Sequence, residues 1–161
     1  MDYSPERYVE RLLELSNKKY LLLKEMLLLT QNQSETINED GVDALVRLID
    51  EKQQYINGID KLDEEFNFYF KRLKQVLKVE SLDELRMSGI KGTKELQQVV
   101  GKILEIINDI STLDTRNNSE AKKLLGNFEN EIKKINQGKK VNTAYTYGFK
   151  HSPSYYIDKK K

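Results

Sequence analysis

The sequence predicts an all-α chain: an antiparallel helical bundle, or long helical hairpin, of three long helices with one short helix and a C-terminal tail. Three observations carry that reading. Apolar residues return every three or four positions over long stretches, the period of a helix and not of a strand. Only two prolines and eight glycines punctuate 161 residues, too few for a chain of many short strands. A composition of 38% apolar and 33% charged residues suits helices that each bury one stripe better than it suits a thick globular core.

The first helix is expected from Pro5 to about Gln33. Ser4 can cap it, and Pro5 fits the first helical position, where its missing N–H costs nothing. Tyr8, Leu12, Leu15, Leu22, Met26 and Leu29 mark its stripe. The polar run Gln31 to Thr36, with Asn38-Glu39-Asp40-Gly41, favours turns and caps because short polar side chains bond their own backbone. From Val42 the period returns through Leu45, Ile49, Ile56, Ile59, Phe66, Leu73 and Leu77. That second helix holds about 36 residues and spans about 54 Å. Gly58 lies inside it, and the apolar stripe continues on both sides, so one unbroken helix is expected.

Ser81-Leu82-Asp83-Glu84 has the form of a capping box, with Ser81 as cap and Glu84 reaching back to the cap's own N–H. It opens a short helix ending near Gly89. A third long helix starts at about Thr93 and carries Leu96, Val99, Val100, Ile103, Ile106, Ile107, Ile110 and Leu113. Asp114 to Ser119 interrupts the rhythm, either as a solvated stretch of one helix or as a loop between two. Neither Gly nor Pro occurs there, which favours one helix. The stripe resumes at Leu124, Leu125, Phe128, Ile132 and Ile135 and stops at Gly138. Residues 1–138 are therefore read as the bundle domain and 139–161 as a tail that is flexible or ordered by a partner.

Charge and composition exclude several classes. A net charge of +1 gives no electrostatic footprint for nucleic acid, which needs a concentrated basic face. The absence of cysteine removes disulfides, thiolate metal sites and a thiol nucleophile. No basic-then-apolar leader is readable at the N-terminus, and no apolar run approaches bilayer length. A soluble, cytoplasmic protein with no membrane insertion is expected.

Chemistry-bearing residues are sparse. The sole histidine, His151, lies in the tail. One histidine cannot supply the paired Glu-x-x-His sets of a di-iron bundle or a His-x-x-x-His zinc pair. Gly89-Ile90-Lys91-Gly92-Thr93-Lys94 has the wrong spacing for a phosphate loop, and no strand precedes it. Carboxylate runs such as Asp63-Glu64-Glu65 read as solvated helix faces, since acids catalyse only where a pocket perturbs them. No enzyme, cofactor or metal site is expected.

Two features exceed a bland helical core. The row Val99, Val100, Ile103, Ile106, Ile107, Ile110 and Leu113 covers more of the third long helix than a narrow stripe, so part of it is read as awaiting a partner. The alternative is complete burial within a monomer or a homo-oligomer. The tail carries Tyr145, Tyr147, Phe149, Tyr155 and Tyr156 among six lysines with Asp158 as its acid. Tyrosines give large amphipathic contact area at low entropic cost.

The run Asp40-Gly41-Val42-Asp43-Ala44-Leu45, through Leu48-Ile49-Asp50-Glu51-Lys52-Gln53 to Ile59-Asp60-Lys61-Leu62-Asp63, resembles the central region of the FlgN family, the flagellar export chaperones for hook-associated proteins. The closing Tyr155-Tyr156-Ile157-Asp158-Lys159-Lys160-Lys161 is similar to the C-terminal ends of Gram-positive members. Phe66 stands where many relatives carry an arginine, so no role of that arginine is carried over. The resemblance implies a cytosolic, non-enzymatic helical chaperone. Its clients would be the terminal amphipathic helices of hook-associated proteins, delivered to the flagellar export gate. Client binding would fall on Val99, Val100, Ile103, Ile106, Ile107, Ile110 and Leu113. Export-machinery docking would fall on Tyr145, Tyr147, Phe149, Tyr155 and Tyr156. The rival reading is a structural coiled-coil protein that oligomerises through the same stripes.

Overall fold

A computed structural model of the chain describes residues 3–135; the expected tail, 139–161, lies outside them. The described residues form an all-α helical bundle of four helices without strands: α1 (Pro5–Thr36), α2 (Val42–Leu77), α3 (Leu82–Met87) and α4 (Thr93–Ile135).

Each terminus follows from local chemistry. The Ser4 hydroxyl accepts the Arg7 N–H at 3.3 Å, and the Ser4 carbonyl accepts the N–H groups of Arg7 and Tyr8. α1 runs three residues beyond its expected end at Gln33 because its polar last turn is held from outside: the Ser34 hydroxyl donates to Asn117 Oδ1 on α4 at 2.7 Å. In the turn that follows, Asn38 Oδ1 accepts the Asp40 N–H at 3.0 Å, an Asx-turn. Gly41 is required there, since a Cβ would sit 2.3 Å from the Thr36 carbonyl oxygen.

α2 is unbroken over 36 residues. It ends on Lys78 in the left-handed region, φ 57°, with the Val79 N–H donating to the Lys74 carbonyl at 3.2 Å, a Schellman closure. Ser81 caps α3 by accepting the Glu84 N–H at 3.2 Å. The reciprocal half of the box differs from expectation: Glu84 Oε2 accepts the N–H of Glu80, one residue before the cap. α4 is one helix of 43 residues through Asp114 to Ser119.

The described chain packs as two units, and α1, α2 and α4 each contribute to both. Unit 1 comprises residues up to Glu25 and Tyr55–Ile107. Its core holds Tyr8, Val9, Leu12, Leu73, Leu85 and Leu96, with Phe66, Phe70, Leu82 and Ile90 packed around them. Each fully buried leucine of this kind contributes about 1.5–3 kcal/mol relative to exposure. Here α1 and α2 run antiparallel: Arg11 pairs with Glu65 and Lys19 with Asp63, both at 2.7 Å, and Leu22 covers Gly58. Unit 2 comprises Met26–Gln54 and the described residues from Asn108 on. It buries Met26, Val42, Leu45, Ile110, Ala121 and Leu124.

Candidate functional site

α4 carries the row read as a partner surface, and its members differ in burial. In unit 1, Ile103 and Ile106 are buried at 6% and 7% exposure, whereas Val99, Val100 and Ile107 are half-buried. In unit 2, Ile110 is fully buried and Leu113 is half-buried. The row is therefore not one open face. Ile103, Ile106 and Ile110 pack within the described chain, and Val99, Val100, Ile107 and Leu113 flank them nearer the surface. Leu104, 64% exposed, is an outward apolar side chain of α4 that the sequence reading passed over. Tyr145, Tyr147, Phe149, Tyr155 and Tyr156 lie outside the described residues.

The interruption at Asp114 to Ser119 is one continuous helix whose Thr115, Arg116 and Ser119 face solvent, but two of its polar residues, Asp114 and Asn117, turn inward. Asp114 is 0% and Asn117 5% exposed. Lys52 of α2, 1% exposed, donates to Asp114 Oδ1 and, at 3.3 Å, to Gln33 Oε1 of α1. Asn117 donates from Nδ2 to the Thr30 carbonyl at 3.0 Å and accepts the Ser34 hydroxyl. The Thr30 hydroxyl in turn donates to the Met26 carbonyl at 2.7 Å. All of these groups belong to unit 2.

Burial pushes the Lys52 ammonium down from the ordinary lysine range and the Asp114 carboxyl up from the ordinary aspartate range. In each case lost hydration outweighs the attraction of the partner. Asp114 Oδ2 has no hydrogen-bond partner among the described residues, so the layer is not fully satisfied.

A positional signal for this layer is present in the sequence. Leu45, Ile49, Lys52, Ile56 and Ile59 are spaced alternately by four and three residues, as are Ile110, Asp114, Asn117, Ala121 and Leu124. Lys52, Asp114 and Asn117 thus occupy the inward register of their helices. Ranking residues by polarity instead of register hides them.

Among the described residues no group of acids and histidines could hold a metal ion, and no helix is long and apolar enough to cross a membrane. No curated protein and no solved structure matches the chain. The family model described as FlgN protein matches residues 1–150. That span takes in all four helices, including the α2 run on which the resemblance rested and the α4 row described above. The chain belongs to the FlgN family of flagellar export chaperones.

Proposed function

We propose that the chain binds the terminal amphipathic helices of flagellar hook-associated proteins in the cytoplasm and delivers them to the flagellar type III export apparatus. Family membership over residues 1–150 is the observation that carries this reading. The half-buried Val99, Val100, Ile107 and Leu113 on α4 supply the client contacts. Ile103, Ile106 and Ile110 back them from within and meet the client only if the surrounding helices part.

A client helix with a bare apolar stripe self-associates. Covering that stripe removes apolar area from water at roughly 25 cal/mol per Å², and helix-in-groove recognition needs no nucleotide and no covalent step. The chain acts without enzymatic activity, cofactor or metal. Tyr145, Tyr147, Phe149, Tyr155 and Tyr156 are the docking residues for the export gate, since aromatic side chains dominate small interfaces.

Affinity purification of the full chain from flagellated cells, with mass spectrometry of what it retains, tests the proposal. Recovery of hook-associated proteins, lost when their terminal helices are deleted, is the expected result. A tight homo-oligomer in analytical ultracentrifugation that retains no flagellar subunit would favour the structural coiled-coil reading instead.

A further inference from the structure

Unit 1 carries a surface feature that neither the α4 row nor the tail accounts for. Arg7 lies over the ring of Tyr3 at 5.3 Å, Arg11 over Tyr69 at 5.9 Å and Arg72 over Phe68 at 5.5 Å. The rings are themselves in contact. Phe68 meets Tyr69 edge-on at 5.3 Å, and Tyr69 faces Tyr3 at 6.4 Å. The start of α1 and the last third of α2 thus share a run of three contacting rings with a guanidinium over each.

The two ends of this run are open to solvent, whereas Arg11, Tyr69 and Arg72 are half-buried and Arg72 Nε donates to the Tyr8 hydroxyl at 3.2 Å. Phe68 is 56% and Tyr3 37% exposed, and a cleft of about 260 Å³ is lined by Tyr3, Arg7, Arg11 and Tyr69. That volume falls below the roughly 300–1,000 Å³ of small-molecule pockets, so the cleft suits one side chain of a larger partner.

We infer that this face docks an acidic peptide segment that also bears aromatic or apolar side chains. The chemistry of the guanidinium points to the acid. An arginine held over a ring uses its face for the cation–π contact and keeps its in-plane N–H donors for a carboxylate. Arg11 already spends its donors on Glu14 and Glu65 at 3.0 and 2.7 Å, which shows the geometry the face accepts. Arg7 is exposed and has no carboxylate partner among the described residues. Its guanidinium is pre-ordered by Tyr3, which lowers the entropic cost of capturing one.

The aromatic half of the partner follows from Phe68, since tyrosine, phenylalanine and arginine together form the composition of interface centres. The chain's own tail is a poor occupant, because its six lysines against Asp158 repeat the sign of the face.

The test is a titration of the full chain, isotopically labelled, with three probes of equal length: a peptide alternating glutamate and tyrosine, one alternating lysine and tyrosine, and oligo-thymidylate. The glutamate–tyrosine peptide is expected to shift amide signals of residues 3–14 and 65–72 and to bind more weakly as salt is raised. Arg7→Glu should weaken it at least about tenfold without changing the circular-dichroism melt, and Phe68→Ala should weaken it independently. Equal binding of both peptides, or shifts elsewhere on the molecule, would overturn the inference. Preferential binding of oligo-thymidylate would replace it with a nucleic-acid face. Self-association of the wild type that Arg7→Glu abolishes would replace it with a second copy of the chain.

Discussion

Unit 1 and unit 2 draw on the same three long helices and bury different kinds of side chain. Unit 1 closes over leucines, Tyr8 and Val9, with Ser16 and Thr93 as its buried polar residues. Unit 2 places Thr30, Gln33, Lys52, Asp114 and Asn117 where its helical register calls for apolar groups. The first arrangement gains stability from every contact. The second sets the lost hydration of two charges against one ion pair, and both pKa directions say that hydration wins. Equal burial therefore does not mean equal stabilisation.

The largest expected effect separates these cases. Asp114→Ala leaves the Lys52 ammonium buried without its carboxylate and should cost about 3–5 kcal/mol in urea unfolding. Replacing both members, Lys52→Met with Asp114→Leu, should restore wild-type stability or exceed it by about 1–4 kcal/mol. A double variant as unstable as the single one would erase the distinction between the units. In unit 1, Leu96→Ala should cost about 2–5 kcal/mol through the cavity it leaves. No second substitution of the kind that rescues Asp114→Ala exists for it, because no partner is orphaned. The smallest effect has the opposite sign. A Cβ at Gly58 would lie 3.5 Å from Leu22 Cδ1, ordinary contact distance. Gly58→Ala should raise the thermal midpoint, with about 0.5–1 kcal/mol gained inside α2.

Much of the fold is written in short-range patterns. Ser4-Pro5 starts α1, the Leu45-to-Leu77 period defines α2, and Ser81 caps α3; each reports a local preference that the packing leaves alone. The course of α4 through Asp114 to Ser119 is different. Its continuity follows locally from the absence of Gly and Pro, but the burial of Asp114 and Asn117 is matched by Lys52, Thr30 and Ser34 on other helices, so no local window contains the reason for the polar layer. The α4 row shows a similar limit. Periodicity identifies Val99 to Leu113 as apolar. Only the placement of α1 and α2 decides that Ile103, Ile106 and Ile110 go inward while Ile107 and Leu113 stay near the surface. The cation–π run is half legible: Arg7 with Tyr3 and Arg72 with Phe68 are four residues apart, whereas the link of Tyr69 to Tyr3 and Arg11 depends on how α1 and α2 pack.

That division of the α4 row gives the most direct test of the chaperone reading. Calorimetric titration of the full chain with peptides from the terminal helices of hook-associated proteins should give binding that Ile107→Glu weakens at least about tenfold, a loss of 1.4 kcal/mol or more. The variant should keep its helicity, whereas Ile103→Glu, which buries an unpaired charge, should lose helicity and binding together. Wild-type affinity in a fully folded Ile107→Glu chain would contradict the placement of the client on α4.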